Sequence, residues 1–208
     1  MAEASEIPTD ATRFDAMLMD RGVGKRHACW REPQTFLPWA NALNKLVSRT
    51  GRDGFMAVLL GRPGVGKTQM GSEWLRHVLA STKDPKMIER YSPGWLAMHA
   101  LYRKASDVFR DIRETYDTKS SEREVVGRFC TVQALVIDEI DSLGRTPFEQ
   151  RMLRDILDER YCNLRETVII SNDRSQQVFM GHQEEYLTSR LSESGLFIEC
   201  SWPSFRER

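Results

Sequence analysis

The sequence predicts an α/β fold with a mostly parallel, five-stranded sheet flanked by helices. Three observations lead to this prediction. Short apolar runs typical of buried strands alternate with stretches whose apolar residues recur at helical spacing. A glycine-rich loop joins the first of these runs to a helix, and two adjacent carboxylates follow the third. Strands that alternate with helices favour right-handed crossovers, which make the strands parallel and bring their carboxyl ends to one edge of the sheet.

The composition suits one α/β domain with a tail. The chain has 208 residues, and its 30 basic and 30 acidic side chains cancel, so no global charge favours nucleic acid or membranes. Four widely spaced cysteines form no Cys-x-x-Cys pair, which favours free thiols in a reducing compartment over a zinc or redox motif. The sequence shows neither a signal-peptide pattern nor an apolar run of membrane-spanning length. We therefore expect a cytoplasmic protein with no membrane association.

The N-terminal segment is expected to lie outside the main domain. Residues 1 to about 12 are small, polar and acidic, and predict a flexible tail. Phe14 begins a short helical pattern, and a basic loop follows it. Within that loop, Gly22–Lys25 imitates a phosphate-binding pattern, but Arg26 stands where the pattern requires Ser or Thr, and no strand precedes it.

We predict a division into residues 1–35, a tail with a short additional segment, and residues 36–208, the main domain. The main domain begins with a helical apolar stripe from Phe36 to Arg49, which ends at Gly51. The apolar run Phe55–Leu60 indicates the first strand.

Residues 61–68, Gly-Arg-Pro-Gly-Val-Gly-Lys-Thr, match the phosphate-binding pattern G-x-x-x-x-G-K-[ST]. In such a loop, backbone N–H groups surround phosphate oxygens, Lys67 reaches the β and γ phosphates, and the Thr68 hydroxyl binds Mg²⁺. The preceding strand and the following helix provide the expected context, because a helix N-terminus favours anions. A glycine-rich turn that binds nothing is the less favoured alternative. The predicted nucleotide-binding residues are Gly61, Arg62, Pro63, Gly64, Val65, Gly66, Lys67, Thr68 and Gln69.

The next part of the chain carries weaker signals. Asp84–Pro85 and Ser92–Gly94 indicate turns, which leave Trp95–Met98 as a short second strand. Apolar residues at helical spacing predict a helix over Leu101–Tyr116, and its other side mixes basic with acidic residues. A solvated face of mixed charge is the favoured interpretation of that side. Lys119–Glu124 is expected to be a polar connection.

A second motif adds hydrolysis to the prediction. Ala134–Ile137 indicates a buried strand that ends in Asp138 and Glu139. At the sheet edge, the first carboxylate can hold Mg²⁺ through water, and the second can polarise an attacking water. Adjacent acids also occur by chance at strand ends, but the phosphate-binding loop upstream favours a Walker B motif. We therefore predict Asp138 as a metal ligand with Thr68, and Glu139 as the catalytic carboxylate.

The third element of the predicted site is Asn172, which follows the strand Thr167–Ile170 and is expected to reach the γ-phosphate or the attacking water.

Before that strand, Thr146–Glu149 has the form of a capping box with proline at the first helical position. The helix that it starts is expected to bury Phe148, Met152, Leu153, Ile156 and Leu157, and to leave Arg151, Arg154 and Arg160 to solvent or a partner.

The chain is predicted to close with a helix over Gln183–Leu191 and a strand over Leu196–Cys200.

Phosphoryl transfer also needs positive charge near the β–γ bond, commonly an arginine from a neighbouring subunit. The candidates are Arg160, Arg190, Arg206 and Arg208.

Together these motifs resemble those of AAA+ ATPases, and several stretches are similar to the DnaC/DnaI helicase-loader and IstB-like group. The resemblance covers roughly Phe36 to the C-terminus. The stretches that carry it are residues 61–68, Leu135–Ile140, Leu153–Tyr161, Thr167–Asn172 and Ser201–Arg206.

The resemblance implies an AAA+ core that binds ATP and Mg²⁺. Few residues follow the last predicted strand, so we expect no full C-terminal lid domain, in contrast to a full AAA+ module. The resemblance implies that Lys67, Glu139 and Asn172 act in hydrolysis, with Asn172 as sensor 1. It further implies that Arg190 is an arginine finger that acts after self-assembly, and that Arg206 senses the nucleotide.

The resemblance also places residues 21–30 near the adenine, and assigns the predicted helix over Leu101–Tyr116 to an insertion that guides single-stranded DNA. We expect an ATPase that acts as a helicase loader in DNA replication, with a replicative hexameric helicase and single-stranded DNA as partners. Assembly or DNA is expected to stimulate its hydrolysis. Two alternatives stay open: an IstB-like transposition helper that acts on duplex DNA with a transposase, and a nucleotide-dependent adaptor with negligible hydrolysis.

Overall fold

A five-stranded sheet forms the centre of the molecule in a computed structural model, which describes residues 10–29, 35–51, 54–81, 99–117, 121–142 and 146–207. The strand order is β2-β3-β4-β1-β5, and every pairing is parallel. The strands are β1 (Met56–Leu60), β2 (Ala100–Lys104), β3 (Ala134–Asp138), β4 (Glu166–Ile170) and β5 (Gly195–Glu199). The predicted α/β fold with a parallel five-stranded sheet is therefore confirmed.

Helices cover both faces of the sheet. The α-helices of the described residues are α1 (Asp10–Asp20), α2 (Lys25–Cys29), α3 (Leu37–Val47), α4 (Lys67–Ala80), α5 (Ala105–Arg113), α6 (Glu122–Thr131), α7 (Pro147–Cys162), α8 (Gln176–His182) and α9 (Glu185–Ser194). Short 3₁₀ turns span Glu114–Asp117 and Ile140–Ser142. None of the helices in these ranges combines the length and the apolar character that crossing a bilayer requires.

The central strand β1 shows why the sheet is buried on both faces. All five of its residues are buried, and they alternate between two apolar layers. Ala57 and Leu59 pack in the layer that contains Trp39 and Trp74, while Val58 faces the other layer. A continuous apolar run, rather than an alternating one, is what a parallel strand covered by helices requires.

The N-terminal helices share the first of these layers. Met17, Leu18 and Ala28 are buried in this layer together with side chains of the sheet. Helix α1 begins at Asp10, so the predicted tail is wrong for residues 10–12, and residues 1–9 lie outside the described part. The domain boundary at residue 35 stays a prediction.

Strand β2 corrects the prediction for the segment that follows α4. The predicted helix over Leu101–Tyr116 is wrong for its first four residues, because Leu101–Lys104 pairs with β3 and α5 begins only at Ala105. Leu101 fits the helical spacing by coincidence, and pairing with Leu135 in the sheet decides its conformation. The predicted strand at residues 95–98 and the turns before it lie outside the described residues.

Three helices have no counterpart in the prediction. Helix α2 occupies Lys25–Cys29, which overlaps the expected basic loop. Helix α6 occupies Glu122–Thr131, which overlaps the expected polar connection, and α8 occupies Gln176–His182. Phe129 of α6 and Phe179 of α8 are fully buried, so tertiary packing stabilises these short segments.

Helix α7 confirms its predicted start and contradicts one predicted surface residue. The Thr146 side chain accepts a hydrogen bond from the Glu149 backbone, the Glu149 side chain accepts one from the Thr146 backbone, and Pro147 is the first helical residue. Arg160, however, is fully buried rather than left to solvent or a partner. Its guanidinium donates to Thr167 Oγ1 at 2.9 Å and to the carbonyl oxygens of Phe129, Val132, Gln133 and Glu166.

Candidate nucleotide-binding site

The loop between β1 and α4 has the backbone that its glycines predict. Gly61, Gly64 and Gly66 have φ angles of 140°, 87° and 85°, in the region that favours glycine. A Cβ on Gly64 would lie 2.2 Å from the Ser204 hydroxyl oxygen, so a side chain there would collide with the C-terminal segment. The loop leads into the N-terminus of α4, whose partial positive charge favours phosphate.

Groups on the outer side of the loop hold its carbonyls. The Phe205 N–H donates to the oxygen of Gly64 at 2.9 Å. The Trp202 indole N–H donates to the oxygen of Val65 at 2.9 Å, and that of Trp39 donates to the oxygen of Gly66 at 3.0 Å. Because three successive carbonyls are bonded from outside, the protein itself fixes the loop conformation.

Trp202→Phe is expected to lower the free energy of unfolding by about 1 kcal/mol, because the ring still packs but the Val65 carbonyl loses its donor. Urea titration of the free energy of unfolding measures the change. Val178→Ala, at an exposed position of α8, serves as the control. Equal stability of the Trp202 variant and the wild type would show that this hydrogen bond contributes nothing.

Lys67 lies at the inner side of the loop, where its ammonium group donates hydrogen bonds to oxygen atoms. Its Nζ donates to the carbonyl oxygens of Gly61 at 2.5 Å and Arg62 at 3.0 Å, and to Asn172 Oδ1 at 3.1 Å. The residue is only 6% exposed. Burial lowers the pKa of Lys67, and the nearby Asp138 carboxylate opposes that shift. A buried ammonium whose partners are all oxygens can exchange them for phosphate oxygens.

Asp138 and Thr68 meet at one point, as expected for a metal site. Thr68 Oγ1 donates to Asp138 Oδ2 at 2.8 Å, and the Tyr102 hydroxyl donates to the same oxygen at 2.6 Å. Burial, and then Asp138, raise the pKa of Tyr102, so its hydroxyl stays a donor. The described part of the chain contains no cluster of three or more His, Cys, Asp or Glu residues suited to a metal. A hydroxyl and one carboxylate beside phosphates suit Mg²⁺, which prefers few protein ligands.

Glu139 follows β3 in a strained conformation beside Lys104. Its φ angle is 56°, unusual for a residue other than glycine, and its N–H donates to Asp138 Oδ1 at 2.7 Å. Lys104 Nζ donates to Glu139 Oε1 at 2.9 Å, and this hydrogen bond raises the pKa of Lys104. Both side chains are partly exposed, so the Glu139 carboxylate lies at the mouth of the site.

Asn172 lies between Lys67 and Asp141. Its N–H and its side-chain Nδ2 donate to the two oxygens of the Asp141 carboxylate, each at 2.8 Å. Sequence reasoning missed Asp141, and also Tyr102, which had been assigned to a helix. Asp141 belongs to no motif that the sequence shows, although it lies only three residues after Asp138.

Lys67, Thr68, Asp138, Glu139 and Asn172 line a cavity of about 280 Å³ at the carboxyl ends of β1, β3 and β4. Arg26 and His27 of α2 and Arg206 of the C-terminal segment also line it. Their roles near the adenine and in sensing the nucleotide stay predictions. The full lining is Arg26, His27, Pro63, Gly64, Gly66, Lys67, Thr68, Asp138, Glu139, Ile170, Asn172 and Arg206. The Gln69 side chain, also in the predicted set, is buried and donates to Glu73 Oε1 at 3.1 Å.

Arg190 does not line this cavity. Its Nη2 lies 2.7 Å from Asp158 Oδ1, its Nη1 donates to the Tyr186 carbonyl oxygen at 2.8 Å, and its guanidinium lies over the Tyr161 ring. It therefore stands on the surface formed by α7 and α9, and its predicted role on a neighbouring subunit stays a prediction. Of the other candidates, Arg160 is excluded by its burial, and Arg208 lies outside the described residues.

Comparison with known proteins agrees with the predicted resemblance. No protein-family model matches the sequence. The chain is 22% identical over 159 residues to the replicative helicase loader DnaC of Escherichia coli K12, which covers 75% of this chain and 59% of that protein. The chain thus spans little more than half the length of this curated relative.

Two solved structures show the same fold. A DnaC helicase loader has a TM-score of 0.59 and 19% identity, with 78% of this chain and 91% of that chain covered. The replication initiator DnaA bound to AMPPCP and single-stranded DNA has a TM-score of 0.58 and 18% identity, with 82% of this chain and 47% of that chain covered. The chain therefore shares the fold of these proteins, and its predicted resemblance to the DnaC group is confirmed in sequence and in fold.

Proposed function

We propose that this chain is an ATP-hydrolysing, helicase-loader-like protein of DNA replication that binds single-stranded DNA and a replicative hexameric helicase. The observation that carries the proposal is the convergence of Lys67, the Thr68–Asp138 pair, Glu139 and Asn172 on one cavity. The similarity to DnaC, which extends over 159 residues of the chain, supports the proposed role as a helicase loader.

Each of these groups has a defined chemical task in ATP hydrolysis. Lys67 and the loop N–H groups bind the phosphates. Thr68 and Asp138 would hold Mg²⁺, which neutralises charge on the phosphate oxygens. Glu139 accepts a proton from the attacking water, which requires its carboxylate to turn from Lys104 towards the cavity. Asn172 also lines the cavity, where its Oδ1 accepts a hydrogen bond from Lys67 Nζ.

Lys67→Ala is expected to weaken ATP binding by roughly ten- to a hundredfold, because the charged donor to the phosphates is lost. Isothermal titration with ATP and Mg²⁺ measures the dissociation constant. Lys45→Ala, an exposed lysine of α3, is the matched control and is expected to bind as the wild type does. Unchanged ATP affinity of the Lys67 variant would contradict the proposed site.

The proposed partners are tested with DNA of both kinds. We expect single-stranded DNA to bind more tightly than duplex of the same sequence, with affinity falling as salt rises. The salt dependence should be shallow, because arginines on and before α5 already pair with carboxylates: Arg103 with Asp111, Arg110 with Asp107 and Arg113 with Glu149. Filter binding across salt concentrations provides the measurement. Tighter duplex binding would favour a transposition helper instead.

Copurification from the native host tests the helicase partner, since recovery of a hexameric helicase supports loading and recovery of a transposase opposes it. Self-assembly through Arg190, which the resemblance implies, would use a side chain that is 24% exposed and paired with Asp158. An arginine delivered from a neighbouring subunit would stimulate hydrolysis on assembly.

A further inference from the structure

The side-chain amide of Asn172 lies between two groups of fixed hydrogen-bonding character. At one end, Nδ2 lies 2.8 Å from Asp141 Oδ2, and an ionised carboxylate only accepts hydrogen bonds. At the other end, Oδ1 lies 3.1 Å from Lys67 Nζ, and an ammonium only donates. A flipped amide would place N–H against N–H at Lys67 and oxygen against oxygen at Asp141. The two neighbours therefore determine the same orientation independently.

The Asp141 carboxylate is built to stay ionised in this position. It belongs to the 3₁₀ turn Ile140–Ser142 directly after the Walker B motif, and it accepts from the Asn172 backbone N–H at 2.8 Å as well as from the amide. Burial opposes ionisation, but the hydrogen bonds from Asn172 prevail and hold the pKa of Asp141 below its usual value. The carboxylate thus accepts hydrogen bonds from both the backbone and the side chain of Asn172.

We infer that Asp141 is a positioning residue that turns the Asn172 amide oxygen towards the cavity, where it orients the attacking water rather than binding the γ-phosphate. Phosphate oxygens are acceptors and gain nothing from a second acceptor, whereas water can donate to the Asn172 oxygen and to Glu139 together. This inference rests on the proposed ATPase function and specifies which of the two roles open to Asn172 the geometry supports.

The test compares Asp141→Ala, Asp141→Asn, Asn172→Ala and the double variant Asp141→Ala/Asn172→Ala with the wild type. Asp155→Asn, an exposed carboxylate of α7, is the matched control. Steady-state hydrolysis gives kcat, titration with a non-hydrolysable ATP analogue gives affinity, and thermal melting verifies the fold. The ¹⁵N-detected side-chain amide signal of Asn172, assigned by its loss in Asn172→Ala, reports on the hydrogen bond to Asp141 without any catalysis.

We expect Asp141→Ala and Asn172→Ala each to lower kcat on the order of 10²-fold without weakening the affinity for the ATP analogue. The double variant should be no slower than Asn172→Ala alone, because both changes remove one function. Asp141→Asn keeps an acceptor for the Asn172 backbone N–H but also offers a donor to the amide, so it should not restore kcat. The Asn172 amide signal should shift in both Asp141 variants and stay unchanged in Asp155→Asn.

Wild-type kcat in Asp141→Ala, or losses that multiply in the double variant, would overturn the inference. A fall in analogue affinity in Asn172→Ala would instead assign Asn172 to the γ-phosphate. If the wild type binds ATP but does not hydrolyse it, the proposed ATPase fails on its own account. In that case the amide signal still decides, since an Asn172 resonance indifferent to Asp141→Ala refutes the positioning role.

Discussion

Glu139→Gln is expected to lower the rate of ATP hydrolysis by roughly 10²- to 10⁴-fold and to leave ATP binding intact. The glutamine keeps the size of the side chain but cannot accept a proton from water. The Glu139 N–H donates to Asp138 and its carboxylate accepts from Lys104, so these hydrogen bonds do not involve the loop residues that bind phosphate. The effect should therefore appear in kcat and not in the dissociation constant for ATP.

Phosphate release, measured with and without single-stranded DNA, and ATP titration of the same variant provide the two readouts. Glu124→Gln, an exposed carboxylate of α6, controls for the change in charge. Equal hydrolysis rates for wild type and Glu139→Gln under both conditions would support the adaptor alternative, in which nucleotide binding matters and hydrolysis is negligible.

Arg160→Met is expected to lower the free energy of unfolding by about 3 kcal/mol or more, because it leaves buried carbonyl oxygens without their donor. The guanidinium ties α7 to the end of α6 and to the start of β4 through the oxygens of Phe129, Val132 and Glu166. Burial lowers the pKa of Arg160 to about 9, so the side chain remains charged and donates all its hydrogen bonds at neutral pH.

Urea unfolding of Arg160→Met and of Arg151→Met distinguishes a structural arginine from a surface one on the same helix. Arg151 is exposed, and its substitution should change stability little. A stable Arg160→Met variant that loses only assembly-dependent hydrolysis would contradict the structural role and return Arg160 to the candidate arginine fingers.

The loop and the two strand ends could be predicted because their signals are local. The loop that carries Lys67 and Thr68 follows one apolar run, and the Asp138-Glu139 pair follows another. Parallel strands bring their carboxyl ends together by geometry alone. The capping box at Thr146 is also local, since its two hydrogen bonds join residues three positions apart.

The rest of the site depends on contacts between residues far apart in the chain. Tyr102 reaches Asp138 only because β2 pairs with β3, and the helical spacing of Leu101 concealed that strand. The indoles of Trp39 and Trp202 hold carbonyls of the loop from opposite ends of the chain. No spacing rule connects such residues before the fold is known.

The sequence by itself determined the parallel sheet, the phosphate-binding loop and the two acids at the end of β3, because periodicity and short motifs act over a few residues. Only the tertiary structure decided that Arg160 is buried and hydrogen-bonded to several segments, that Glu139 faces Lys104, and that Asp141 orients Asn172. The physical reason is that burial and hydrogen-bond partners follow from the packing of distant segments. The role of an arginine or a carboxylate therefore depends on whether that packing leaves it on the surface or places it in the core.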